Sequence, residues 1–125
     1  MSAHFSIKKL IKSFGYAFSG VKSAIRSEQN FRVHLLAAVV ALSLSVLLKI
    51  SAIEFLVIII CIGSVMAAEI MNTAIEKLCN FVSPQYHDQI KIIKDLAAAA
   101  VLLLSIVAIV VGFTIFLPRI LSILH

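Results

Sequence analysis

Residues 96–117 read LAAAAVLLLSIVAIVVGFTIFL, without one charged side chain. At about 1.5 Å of rise per residue, a helix of this length covers the ~30 Å hydrocarbon core of a bilayer. A helix that is apolar on every face belongs in lipid or deep inside a large core. A chain of 125 residues offers no such core, because a small protein has too much surface for its volume. The stretch therefore reads as a membrane span. Composition agrees, at 62% hydrophobic and 14% charged residues. One integral-membrane, all-α domain covering residues 1–125 is expected.

On the N-terminal side of this span two more are predicted, over residues 33–50 and 53–72. Lys49-Ile50-Ser51-Ala52 makes a tight turn between them. The helical pattern of the second continues past the membrane to about Phe81. Residues 80–95 read as a polar connection, with Ser83-Pro84 as cap and first position of the next helix. Pro118 and Arg119 are expected to end the third span.

Before the first span, Ile7, Leu10, Ile11, Phe14, Phe18, Val21 and Ile25 recur at helical spacing, and Lys8, Lys9, Lys12, Lys22 and Arg26 take other faces. Residues 6–27 are thus predicted as an interfacial amphipathic helix lying on the bilayer. A plain basic membrane anchor would show the same pattern. Gly15 and Gly20 weaken this helix locally. Ser27-Glu28-Gln29-Asn30-Phe31-Arg32 is a short polar break before the first span.

The net charge of +5 does not point to nucleic acid, because the basic residues flank apolar segments, as at an anionic lipid surface. Cys61 and Cys79 imply no disulfide framework. No cleavable signal peptide is expected, since the first thirty residues lack a continuous apolar core. Lys8, Lys9, Lys12, Lys22, Arg26 and Arg32 precede the first span, and Lys77, Lys91 and Lys94 lie between the second and third. Only Lys49 and Arg119 fall on the other side. The positive-inside rule then predicts a cytoplasmic N-terminus and an external C-terminus.

That orientation gathers polar residues at one leaflet. Glu69, Asn72 and Glu76 stand at i, i+3 and i+7, one stripe of a helix. Two carboxylates and an amide at the edge of a span are costly there and call for a reason. Glu28, Lys94 and Asp95 fall on the same side, whereas Glu54 does not. Phosphoryl transfer at a lipid–water interface would use such a set. Oxygen ligands suit Mg²⁺ on the nucleotide phosphates, and Glu28 and Glu76 qualify. Lys94 supplies a cation against phosphate. Glu69, the deepest of these carboxylates, suits a base for the attacking hydroxyl. No Walker-type or kinase-type Gly-rich loop occurs. Structural roles compete: Glu69 as an interhelical hydrogen-bonding group, Glu76-Lys77 as a solvated helix end, Lys94-Asp95 as a cap and anchor. His34 reads as an interface or packing residue rather than a ligand, and His87 stays undecided.

The run Glu69-Ile70-Met71-Asn72-Thr73-Ala74-Ile75-Glu76 resembles the signature of the small bacterial diacylglycerol kinase / undecaprenol kinase family. Glu28 in Ser-Glu-Gln-Asn-Phe-Arg, Gln85-Tyr86-His87, and Lys94-Asp95 followed by the small residues 97–100 support the likeness, which covers nearly the whole chain. The resemblance implies ATP-dependent phosphorylation of a membrane lipid alcohol, diacylglycerol or undecaprenol, at the cytoplasmic face of the inner membrane. It implies Glu69 as general base and Glu28 and Glu76 as ligands of the divalent metal. It implies nucleotide contacts from Lys9, Tyr16, Glu28, Glu76, Gln85, Tyr86, His87, Lys94 and Asp95. Lipid contacts are expected from Glu69, Asn72 and Ala98. The family is trimeric with sites shared between protomers, and three spans alone cannot enclose a polar site.

Two departures stand out. Asn80 replaces an Asp common in the signature, and the alanines at 97–100 replace a stretch that often contains Gly. Asn30-Phe31-Arg32-Val33-His34 and Phe116-Leu117-Pro118-Arg119 lean toward the undecaprenol-kinase branch. The competing functions are a small transporter subunit and a non-catalytic membrane scaffold. A transporter would hold its carboxylate near the midplane between inverted repeats, and no repeat is visible.

Overall fold

The computed structural model describes residues 4–125; residues 1–3 of the expected domain lie outside the described residues. The described residues form four helices and no strand: α1 (Ile7–Ser27), α2 (Gln29–Leu47), α3 (Ala52–Val82) and α4 (Asp88–Leu124). Helices α2, α3 and α4 are long and apolar enough to cross a membrane. Helix α1 is amphipathic, and its apolar side chains Ile7, Ile11, Phe14 and Phe18 are exposed, as suits a helix on a lipid surface.

Helices α2 and α3 form a hairpin whose turn is chemically specified. Ile50 N–H bonds the Ser45 carbonyl and Lys49 N–H bonds the Val46 carbonyl, both at 3.3 Å. This is a Schellman closure, which needs a left-handed residue after the cap. Lys49 takes that place at φ 51°. Ser51 then caps α3 in a reciprocal box: Ser51 Oγ accepts from Glu54 N–H at 3.2 Å and Ser51 N–H donates to Glu54 Oε1 at 3.1 Å. Two orphan donors are satisfied at once.

Helix α3 is the centre of the molecule and packs on both α2 and α4. At the turn end, Ile58, Ile115 and Phe116 are buried together, with Ala41, Leu44, Ile62 and Ile120 against them. There Arg119 reaches from α4 to Glu54 on α3 with a two-pronged pair at 2.6 and 2.8 Å.

Two expectations are corrected here. Pro118 and Arg119 do not end the third apolar helix, which runs on to Leu124. A proline removes one backbone donor, but inside a helical membrane protein neighbouring groups compensate. Arg119, held by Glu54, also donates to the Ile115 carbonyl at 3.1 Å, which secures this turn. Nor does Ser83-Pro84 start a helix. Ser83 closes α3, its N–H bonding the Cys79 carbonyl at 2.8 Å, while its hydroxyl donates to the Gln85 carbonyl at 3.1 Å. The cap of α4 is His87, whose Nδ1 accepts from Gln89 N–H at 3.1 Å. The polar connection predicted over residues 80–95 is therefore mostly helical, with only residues 83–87 outside helices.

Candidate active site

The site grows from one face of α3. Val65, Glu69, Asn72 and Cys79 are buried at spacings of three, four and seven, so they share the side that packs against the neighbouring helices. Glu69 is only 4% exposed. A buried carboxylate is expensive unless it is paired. Its partner comes from α2, where His34 Nε2 lies 3.3 Å from Glu69 Oε1. One turn further along α3, Asn72 Nδ2 donates to Glu76 Oε1 at 3.3 Å. Asn72 Oδ1 is buried and has no hydrogen-bond partner.

Glu28 stands at the elbow between α1 and α2. Its backbone is extended (φ −119°, ψ 112°), and its N–H and carbonyl join the two helices through Ala24 and Arg32 at 3.0 and 3.2 Å. Its side chain makes no capping bond, so the carboxylate is not consumed by the elbow. Other groups hold the bend. Arg32 Nη1 donates to the carbonyls of Ile25 and Arg26 at 2.9 and 3.1 Å, and Phe31 is buried to 1% exposure.

The remaining polar groups gather around the 83–87 loop. Lys94 Nζ donates to Asn80 Oδ1 and ties α4 to α3. Lys91 Nζ pairs with Asp95 Oδ2 at 2.6 Å, one turn apart on α4. That hydrogen bond, with the charge of the Asp95 carboxylate behind it, holds the Lys91 ammonium above the ordinary lysine value. Lys9, Tyr16, Gln85, Tyr86 and Ala98 are exposed, and among the described residues no side-chain bond ties them to the α3 stripe. His87 is engaged as the cap of α4.

Among the described residues no three His, Cys, Asp or Glu side chains form a metal cage. A cation that arrives on nucleotide phosphates needs only one or two protein carboxylates. Glu28 and Glu76 offer an all-oxygen set of that kind. The orphaned Asn72 Oδ1 adds another oxygen on the turn before Glu76. The chemistry of these donors suits a hard divalent ion.

Beyond Glu69, toward the middle of the helices, an apolar groove of about 280 Å³ runs between α2, α3 and α4. His34, Ala38, Ala41, Val65, Ile109 and Phe116 line it. His34 thus touches both the groove and the carboxylate. Reasoning from residues alone missed this contact and the Asn80–Lys94 bond. A signal for the first existed: His34 lies 17 residues before Ser51 and Glu69 lies 18 after it. In a two-helix hairpin those positions sit at similar depth.

A carboxylate buried within reach of a groove for apolar chains, with acids and cations at the same end of the bundle, suits transfer to a lipid. It suits passage of a charged solute poorly, because no Asp, Glu, Lys or Arg occupies the middle of the three apolar spans. The class is a membrane-embedded phosphotransferase. Residues 15–116 match the family model described as prokaryotic diacylglycerol kinase. The chain is 34% identical over 113 residues to an undecaprenol kinase of Bacillus subtilis (strain 168), covering 90% of this chain and 92% of that one. It is 40% identical over 116 residues to a diacylglycerol kinase of Synechocystis sp., covering 92% of this chain and 66% of the longer relative. With a diacylglycerol kinase of Escherichia coli (strain K12) it shares 33% identity over 102 residues, 82% of this chain and 84% of the other. The chain belongs to the prokaryotic diacylglycerol kinase family. Its activity class is lipid kinase, with ATP as phosphoryl donor, and neither a transporter subunit nor a scaffold is favoured. Three apolar helices and this family fit a multi-pass bacterial membrane protein.

Proposed function

We propose that this protein transfers the γ-phosphoryl group of ATP to the primary hydroxyl of diacylglycerol or undecaprenol, at the cytoplasmic face of the bacterial inner membrane. The observation that carries the reading is Glu69, a carboxylate 4% exposed at the head of the apolar groove. A lipid chain in the groove presents its hydroxyl at that depth. The hydroxyl oxygen attacks the γ-phosphorus, and the bond from phosphorus to the ADP oxygen breaks. The hydroxyl proton goes to the Glu69 carboxylate, and ADP leaves. Asn72, on the next turn, orients Glu76 through its amide. Lys94, steadied by Asn80, meets the phosphates from the water side. Glu28 and Glu76 would hold Mg²⁺, which when bound would neutralise phosphate charge. Asp95, Gln85, Tyr86, His87, Lys9 and Tyr16 surround the nucleotide, and Ala98 lies against the lipid.

The N-terminus faces the cytoplasm in this reading, and the single domain spans residues 1–125. A homotrimer completes the site, because the exposed Lys9, Tyr16 and Ala98 need surfaces that one copy leaves open. The experiment is phosphoryl transfer by purified protein in mixed micelles, with ATP, Mg²⁺ and either diacylglycerol or undecaprenol. Labelled lipid phosphate is expected with one or both acceptors. No transfer to either, from a folded trimer, refutes the reading.

A further inference from the structure

We propose that His34 is the positioning residue of Glu69, a reading that rests on Glu69 being the base. It deepens the proposed mechanism by assigning a second helix to the chemistry.

Glu69 is buried on α3, yet its own helix supplies nothing to orient it. Two buried polar residues follow it at i+3 and i+4: Asn72 spends its amide N–H on Glu76, and among the described residues no hydrogen bond joins Thr73 to the carboxylate. The group that does meet the carboxylate is His34 Nε2 on α2, at 3.3 Å from Oε1. The two atoms are within ion-pair reach but are not aligned as an N–H···O bond. Catalytic contacts are commonly long or poorly aligned before substrate arrives and tighten in the complex.

The consequence is geometric. A glutamate side chain has three rotatable bonds, and a base must be held to a fraction of an ångström. A hydrogen on Nε2 turned onto Oε1 once the lipid is seated holds the carboxylate in one orientation. Oε2 is then the oxygen left for the lipid hydroxyl proton. His34 also lines the apolar groove, so the incoming chain presses on the ring that orients the base. Occupancy of the groove and readiness of Glu69 are thereby linked through one side chain. His34 gains and loses no proton in this scheme; the proton passes from the lipid hydroxyl to Glu69.

The test compares His34→Leu, His34→Gln, Glu69→Gln and the double variant His34→Leu/Glu69→Gln. Turnover, KM for ATP and oligomeric state are measured on the same detergent-purified samples. Misplacing a catalytic group by ~1 Å costs about 10²-fold, so His34→Leu is expected to lose kcat by that order with KM for ATP unchanged. His34→Gln keeps an N–H at similar reach and is expected to recover a large part of the loss. In the Glu69→Gln background, His34→Leu is expected to add nothing, since there is no base left to position. A His34→Leu enzyme within about twofold of wild-type turnover overturns the proposal. So does a loss that persists in full in the Glu69→Gln background, the mark of a packing role. If His34→Leu fails to assemble, His34→Gln decides: wild-type assembly with turnover as poor as that of Glu69→Gln overturns the proposal, and retained turnover supports it. Wild-type turnover in Glu69→Gln alone is a different result and refutes the base assignment itself.

Discussion

Replacing Asn72 by leucine separates what the α3 stripe does for folding from what it does for catalysis. Asn72 is 8% exposed. Its Nδ2 donates to Glu76 Oε1 at 3.3 Å, while its Oδ1 is buried and unpartnered. The amide can face only one way, because a carboxylate accepts and does not donate. Leucine has nearly the same branched shape and no polar atom. The substitution removes a hydrogen bond to a charged group, worth about 1.5–3 kcal/mol net. It also removes a buried unsatisfied acceptor, which costs the native protein about 1–3 kcal/mol. The two terms oppose each other and cancel to within about 2 kcal/mol, so Asn72→Leu is expected to fold and assemble with near-native stability.

Activity carries no such compensation. Without its amide donor, Glu76 is no longer aimed, and the free oxygen beside the nucleotide end is gone. Turnover is expected to fall by about 10²-fold, the usual consequence of losing orientation in a site. The assay pairs thermal unfolding in detergent with phosphoryl transfer on the same preparation. Stability lost by more than ~3 kcal/mol together with activity would show that Asn72 is a structural group. Full activity in a stable variant would show that the orphaned oxygen has no part in the reaction.

Glu76→Gln is expected to shift the Mg²⁺ dependence of turnover to higher concentration without disturbing assembly; an unchanged Mg²⁺ titration would make Glu76 an ordinary helix-end charge. With Cys61 and Cys79 replaced, a cysteine at Gln89 should be labelled only from the cytoplasmic side and one at Ser122 only from outside. The reverse pattern would invert the site as well as the topology. Lys49→Gly is expected to stabilise the hairpin by about 0.5–1 kcal/mol, because the left-handed conformation at φ 51° strains a side chain by somewhat more than glycine loses in entropy. A lower unfolding temperature in that variant would refute the strain.

The architecture was legible because lipid solvent removes ambiguity. A run such as residues 96–117 has one reading, and the period of Ile7, Leu10, Ile11 and Phe14 has one favoured surface. Helix ends were less legible wherever a distant group decides them. Proline at 118 is a stop signal when considered locally, and the counterweight is Arg119, held by Glu54, 65 positions before it. Ser83-Pro84 carries the composition of a helix start, but the serine is already used to close α3. The same distinction holds at the site. Glu69, Asn72 and Glu76 lie on one helix, so arithmetic alone places them on one face. His34 and Lys94 acquire their partners across helices, where spacing in sequence says little until the hairpin turn is located.

The two ends of α3 are built to opposite rules. At the turn end the capping and interhelical groups are paired: Ser51 with Glu54, Glu54 with Arg119, and the last carbonyls of α2 with the N–H groups of Lys49 and Ile50. A buried apolar cluster sits against them. At the other end Glu69 has one loose contact, Asn72 keeps a bare oxygen, and Glu28 and Glu76 project carboxylates that no cation among the described side chains neutralises. Folding alone would select against that second arrangement, since buried unsatisfied groups destabilise. A site for a cation and for a hydroxyl proton requires it, because acceptor oxygens already satisfied by the protein have nothing left to offer either. The rigid end fixes where α2 and α4 stand against α3. That registry places His34 at the depth of Glu69 and Lys94 beside Asn80, and so lets the unsatisfied end be ordered before any substrate binds.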